Sequence, residues 1–304
     1  MLAGMGGVSY GALAGAVSGA GGFGCLGAST MTHEQMVEEM KITKRDGGDK
    51  PFGVDLLTAM PGDMITQVQL IIDEGATAFV AGLGVPADVI KLCHDNDVLV
   101  VNMCGKVDHA RRAVDAGCDI VVAQGTEAGG HTGKVATLPL VPQIVDAVGD
   151  EVPVVAAGGI FDGRGLAAAL VLGADGVWLG TRFIATPEAR STPGYKEALV
   201  ASAEDATTIT RAYTGKTMRA IANDYTRFFD ENPDELQPFP LQSIRATKDA
   251  TLHLPFGEES WDVDPNRECY PAGQGLGGID ELEPAGSIVE RVVREAEKAL
   301  ANAS

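Results

Sequence analysis

The sequence predicts an α/β chain folded as a (β/α)8 TIM barrel, with a small additional lobe near the C-terminal mouth of that barrel. Three observations carry the prediction. Short runs rich in Val, Ile and Leu recur through the first two thirds of the chain. They are apolar on successive residues rather than alternating, as strands covered on both faces should be. Segments of helical spacing separate them at a regular period, the pattern of a parallel sheet wound through helices. Past residue 187 that rhythm stops, and a polar stretch with several prolines precedes one last amphipathic helix.

The strand runs fall at residues 22–26, 52–56, 77–82, 98–102, 119–123, 153–157 and 175–179, and a stub at residues 1–3 makes an eighth. Helical spacing occupies residues 9–20, 33–45, 64–74, 87–95, 107–116, 140–148 and 163–172. Thr32 followed by Gln35 three residues on is a capping box. Asp162 can cap the helix over 163–172, and Gly173 suits the left-handed position that ends it. Nothing in the pattern points to an antiparallel sheet, and an open doubly wound sheet is the alternative architecture. Residues 1–189 and 281–304 are therefore read as the barrel and 190–280 as the lobe covering its mouth. The lobe carries Pro233, Pro238, Pro240 and Trp261, with a helix over 217–229. The final helix, 287–301, has Ile288, Val289, Val292, Val293 and Ala296 on one face and should pack back on the barrel.

Charge narrows the function. The 304 residues hold 23 Lys and Arg against 42 Asp and Glu, a formal charge of −19. Such a surface repels nucleic-acid backbones and anionic lipid, so neither nucleic acid nor membrane is an expected partner. An anionic ligand must then be held by local backbone donors. The five cysteines (Cys25, Cys93, Cys104, Cys118 and Cys269) form no CxxC pair, which fits neither a disulfide framework nor a zinc site, and points to a reducing cytoplasm. The first 32 residues are uncharged but glycine-rich and lack a basic start, so they read as buried strands and tight turns rather than a targeting segment.

In such a barrel, ligands bind at the C-terminal strand ends, and phosphates favour the loops after strands seven and eight. Here those loops read Ala156-Ala157-Gly158-Gly159-Ile160 and Leu179-Gly180-Thr181-Arg182. Glycines let backbone N–H groups approach a phosphate, and Thr181 can add a hydroxyl; the bland alternative is two tight turns. After the 119–123 run, the sixth strand when the stub is counted first, comes Gln124-Gly125-Thr126-Glu127-Ala128-Gly129-Gly130-His131. The Gln124 amide both donates and accepts, which suits the edge of a heteroaromatic ring. His131, behind two glycines, can move a proton near neutral pH. Glu127 is read as a loop brace, Cys104 as a buried filler, and His33, His94, His109 and His253 as ordinary. No nucleophile elbow and no metal-ligand spacing are present in the sequence.

These residues resemble a known family. AQGTEAGGHTG at 123–133, followed by VPVVAAGGIFDGRGLAAALVLGADGVWLGTRFIATPEA at 152–189, is similar to the nitronate monooxygenases (2-nitropropane dioxygenases). That flavin barrel superfamily also includes the FMN-dependent enoyl-acyl-carrier-protein reductases. The resemblance extends to GMGGVS at 4–9, FGVDL at 52–56 and AGQGLGGI at 272–279. It implies non-covalent FMN with its phosphate on Gly158, Gly159, Gly180 and Thr181, next to Leu179. Gln124 would contact the flavin ring, Gly129 and Gly130 would lie against it, and Gly4 and Met5 would touch its other side, with Gln274 bordering the site. His131 matches the family's active-site histidine.

The chain departs from the family twice: Asp55 stands at a cofactor-contacting position where relatives usually have Asn, and the chain starts inside the first strand. The implied reaction is oxidation of alkyl nitronates with O2, a small-molecule substrate. The alternatives are an FMN- and NAD(P)H-dependent reductase of an enoyl thioester or quinone, and a phosphate-ligand-binding barrel without catalysis. A homodimer is the assembly considered.

Overall fold

The computed structural model describes residues 1–57, 63–82, 84–253 and 263–303. Barrel strands and helices alternate as α1 (Gly11–Gly19), β1 (Gly24–Gly27), α2 (His33–Gly47), β2 (Phe52–Leu56), α3 (Met64–Asp73), β3 (Ala78–Ala81), α4 (Ala87–His94), β4 (Leu99–Cys104), α5 (Val107–Asp115) and β5 (Ile120–Gln124). The chain continues as β6 (Gly130–His131), which is not a barrel strand, then α6 (Thr137–Val148), β7 (Val154–Ala157), α7 (Gly163–Val171), β8 (Gly176–Trp178) and the short α8 (Thr181–Ile184). Seven strands form one parallel sheet in the order β1-β2-β3-β4-β5-β7-β8.

The stub at residues 1–3 closes that sheet into a ring. Leu2 forms a parallel bridge to Leu179. The Leu179 N–H donates to the Met1 carbonyl at 3.0 Å, and the Ala3 N–H donates back to Leu179 at 2.9 Å. On the stub's other edge, the Leu2 N–H donates to the Phe23 carbonyl at 2.9 Å, just before β1. The eighth strand is thus one bridge long, yet bonded on both edges.

Strand alternation divides the core in two. Cys25, Ala78, Val80, Val101, Val122, Val155, Ala157 and Trp178 fill the barrel interior. The other strand faces, with Leu26, Val54, Phe79, Val100, Val121 and Val154 among them, pack outward against the helices. The capping box forms, with the Thr32 side chain accepting from the Gln35 N–H and the Gln35 side chain from Thr32. Asp162 caps α7 by accepting from the Gly165 N–H. Helix α1 forms despite its glycines, each of which costs about 1 kcal/mol of propensity against Ala. Those glycines permit close packing on α2: a Cβ on Gly11 would lie 2.5 Å from the Glu39 carbonyl oxygen.

After α8 come α9 (Pro193–Val200), β9 (Thr207–Thr210), β10 (Met218–Ile221), α10 (Asp224–Glu231), α11 (Leu241–Lys248) and α12 (Ala285–Ala303). Two sequence expectations fail here. The helix over 217–229 is a strand followed by a helix, because the Asn223 side chain accepts from the Tyr225 and Thr226 N–H groups and starts α10 only at Asp224. An antiparallel sheet also exists, three strands in the order β6-β10-β9. Its β9, Thr207–Thr210, supplies the β-branched residues that favour pairing. A second small core of Ala212, Tyr213, Met218, Tyr225 and Phe229 lies beneath it. Helix α12 does return to the barrel, burying Ile288, Val292 and Ala296. A Cβ on Gly163 of α7 would strike the Val292 carbonyl oxygen at 2.4 Å. Among the described residues no helix is long and apolar enough to cross a membrane.

Candidate active site at the barrel mouth

The two glycine loops follow the ends of the neighbouring parallel strands β7 and β8. Gly158 (φ 109°) and Gly159 (φ 72°) both adopt left-handed backbone that an L side chain resists. A Cβ on Gly158 would also lie 2.7 Å from Thr137 Oγ1. Among the described residues no acceptor meets the N–H groups of Gly158, Gly159, Gly180 and Thr181. Four backbone donors are therefore available at one rim, which is what an anion needs in a protein of strongly negative charge. Thr181 Oγ1 accepts from the Gly273 N–H at 2.9 Å, so its own proton remains free to donate. Leu179 differs from these neighbours: its side chain is buried in the core and both its backbone groups hold the stub.

The rim continues through the first loop. Met5 Sδ lies 3.5 Å from the position of a Gly180 Cβ, and a Cβ on Gly4 would sit 2.2 Å from that of Asp55. Asp55 is the fourth residue of β2 and reaches the mouth over Gly4. Part of its surface is open, but the carboxyl lies deep enough that burial pushes its pKa up to about 8.

On the opposite side, the 124–131 loop is fixed by several contacts. The Gln124 amide nitrogen donates to the His131 carbonyl at 3.0 Å, leaving its oxygen as a free acceptor. The Glu127 carboxylate accepts from the Thr137 N–H at 2.8 Å and from its hydroxyl at 2.9 Å, bracing the start of α6 in the role its sequence position suggests. Gly129 lies too close to the 272–273 backbone for a side chain: a Cβ there would sit 2.7 Å from the Ala272 carbonyl carbon. Gly130 (φ 72°) has open space where a Cβ would point. Gln274 meets this loop through its backbone, donating to the Glu127 carbonyl at 2.9 Å. Gln274 also lines a cavity of about 470 Å³ with Phe161, Arg164 and Arg291.

His131 is not in a free loop. It is a residue of β6, paired with Met218 of β10. Its Nε2 lies 3.0 Å from Thr214 Oγ1. The Thr214 oxygen also accepts the Lys216 N–H at 3.2 Å and lies 3.3 Å from the Lys216 carbonyl. With the hydroxyl donating to that carbonyl, Thr214 accepts from Nε2–H, and Nδ1 keeps its basic lone pair. The ring edge is open to the mouth, yet its setting is poorly solvated. Burial first, and the Lys216 ammonium second, hold the His131 pKa below the usual 6.5. The imidazole is therefore uncharged at neutral pH and able to accept a proton.

Sequence reasoning misses the lobe residues that set this geometry. Arg219, buried on β10, donates to the Thr126 carbonyl and to Thr207 Oγ1, both at 3.0 Å. Lys216 also sits 4.0 Å over the Phe239 ring. No local signal marks Thr214 or Arg219 as site residues, because their partners His131 and Thr126 lie far away in sequence. The Asn223–Thr226 capping box is the legible clue to where α10 begins. Cys104 is a buried thiol whose pKa burial pushes up to about 12, so it is no nucleophile.

Known proteins resemble this chain in sequence and in fold. The family model for nitronate monooxygenase matches residues 1–65 and 57–295. The chain is 32% identical to a 5-hydroxy-7a-methyl-1-oxo-octahydro-1H-indene-4-carboxyl-CoA dehydrogenase of Mycobacterium tuberculosis, over 99% of this chain and 93% of that protein. The structure of FabK from Thermotoga maritima superposes with a TM-score of 0.88 at 33% identity, covering 99% of this chain and 94% of that one. A nitroalkane oxidase from Streptomyces ansochromogenes superposes with a TM-score of 0.85 at 30% identity, covering 100% of this chain and 97% of that one. A TIM barrel with two glycine loops and a histidine strand at its mouth thus belongs to the nitronate monooxygenase family, and the protein is a flavin-dependent oxidoreductase.

Proposed function

We propose that the protein is an FMN-dependent oxidoreductase that oxidises alkyl nitronates with molecular oxygen, with His131 as its active-site base. The observation that carries this reading is the His131 imidazole, uncharged at neutral pH, anchored at Nε2 by Thr214 and standing with Nδ1 uncommitted. The unengaged N–H groups of Gly158, Gly159, Gly180 and Thr181 fit the FMN phosphate. Gly4, Met5, Asp55, Gln124, Gly129 and Gly130 are the groups that would border the ring. When bound, FMN supplies the electron-accepting chemistry that no side chain of the chain can provide. His131 takes the proton from the carbon beside a nitro group, and the nearby Lys216 charge favours the anion that results. The five free and buried thiols support a reducing cytoplasm as its setting.

A second reading, reduction of an enoyl thioester with NAD(P)H, is favoured by one specific observation. A relative at 32% identity is named for a carboxyl-CoA substrate. Lys216 gives that reading a cation at the mouth for an anionic carrier. Anaerobic mixing separates the two. Rapid bleaching of the flavin by a nitronate and none by NADPH supports nitronate oxidation, whereas rapid bleaching by NADPH alone overturns it. Replacing His131 sharpens the test: H131N should retain flavin and lose turnover of neutral nitroalkane by about 100- to 10,000-fold, with a far smaller loss on preformed nitronate.

A further inference from the structure

Asp55 stands on the rim beside Gly4, and among the described residues it has no counter-ion. It sits between Gly27 of β1 and Val80 of β3 in the register of the sheet. Its backbone carbonyl accepts the Ala28 N–H at 3.0 Å, but among the described residues its carboxyl has no hydrogen-bond or ion-pair partner. The chain has cleared space for it: any residue but glycine at position 4 would collide with the Asp55 Cβ and Oδ2. Among the described residues the groups facing it supply no positive charge. From β1 comes only the Cys25 thiol, whose pKa burial, and then Asp55 itself, push well up. β3 offers Ala78, Phe79, Val80 and Ala81, and the adjoining loop offers Gly4 and Met5. The Met1 amino group, three residues before Gly4, donates to the Val177 carbonyl at 2.8 Å, and burial lowers its pKa to about 6, so it is mainly uncharged at neutral pH. A buried carboxyl with no partner stays protonated rather than carry an uncompensated charge.

Protonation changes what this side chain can do. An ionised carboxylate only accepts hydrogen bonds. A neutral acid presents one O–H donor beside one carbonyl acceptor, the complement of a ring edge that alternates donors and acceptors. We propose that Asp55 serves as a neutral, hydrogen-bond-donating contact to the flavin ring, and that its ionisation at alkaline pH weakens cofactor binding. The proposal rests on the reading of this rim as an FMN site. The sign follows from the direction of the shift. The carboxyl ionises near pH 8 rather than near 3.8, so the donor is present at neutral pH and lost as pH rises through that midpoint.

Two readouts test it, neither of them activity. In apoprotein at pH 6.5, where exposed carboxyls are ionised, the infrared spectrum should contain a protonated-carboxyl band that disappears by pH 9.5 and that D55N lacks. In FMN titrations followed by fluorescence, the dissociation constant of the parent should rise between pH 6.5 and 9.5, by up to about tenfold per pH unit above the midpoint. D55N, which keeps a donor of the same shape that cannot ionise, should lack that Asp55 step, and the flavin's own titration cancels in the comparison. Parallel pH profiles for parent and D55N, with both binding FMN, overturn the proposal, as does the absence of the infrared band. Failure of both proteins to bind FMN at any pH is a different result: it removes the FMN reading of the rim, and the proposal with it.

Discussion

On the barrel side of the mouth the available groups are backbone N–H donors, those of Gly158, Gly159, Gly180 and Thr181, positioned by the ends of two neighbouring parallel strands. On the lobe side they are side chains, His131, Thr214 and Lys216, positioned by a small antiparallel sheet. Three of the four are glycines, and Gly158 and Gly159 also need left-handed backbone, so the geometry of this set is stored within each loop. The second depends on strand pairing between segments far apart in the chain. This difference divides the labour in the proposed mechanism: the barrel holds the cofactor, and the lobe brings the base to it.

Substitutions on the two sides should therefore fail in different ways. The largest effect is expected at Gly158, where valine meets both a left-handed φ of 109° and Thr137 Oγ1. Backbone strain of about 1–3 kcal/mol puts the loss of FMN affinity for G158V at roughly ten- to a hundredfold, readable by fluorescence titration. A G158V protein that binds FMN like the parent would remove the loop from the phosphate site. On the lobe side, T214V should leave FMN affinity unchanged and slow turnover of neutral nitroalkane by about three- to tenfold, the worth of one hydrogen bond. T214S should restore the rate. If T214V instead loses FMN and keeps its turnover number, the division between the two sides is wrong.

The smallest effect concerns pH. Burial and Lys216 both lower the His131 pKa, so the acid limb of kcat/KM for neutral nitroalkane should have its midpoint below pH 6.5. Removing the cation in K216M should move that midpoint upward by a few tenths of a pH unit, because a protonated imidazole is no longer repelled. An acid limb that stays in place, or moves downward, would show that the ring does not sense Lys216.

The same contrast decides which side of the mouth is legible in the amino-acid sequence. The barrel side is legible because each of its signals is local: apolar runs mark the strands, Gly158-Gly159 and Gly180-Thr181 follow them directly, and the Thr32 and Asp162 caps lie within a turn of the helices they start. The lobe side is opaque because its contacts are long-range. His131 and Thr214 are 83 residues apart, and Arg219 reaches Thr126 across 93. A two-residue strand such as β6 carries no periodicity of its own. Asp55 stands between these cases. Its chemical type is plain in the sequence, but its protonation follows from the surrounding burial and from Gly4, which only the folded mouth brings against it.

The central claim is that cofactor and base are held from opposite sides of one mouth, and a crystal structure of the protein with FMN measures it directly. The account predicts phosphate oxygens within hydrogen-bonding distance of the Gly158 and Gly180 N–H groups, with the His131 imidazole facing the ring. A phosphate bound away from both glycine loops, or an imidazole turned from the ring, would contradict it.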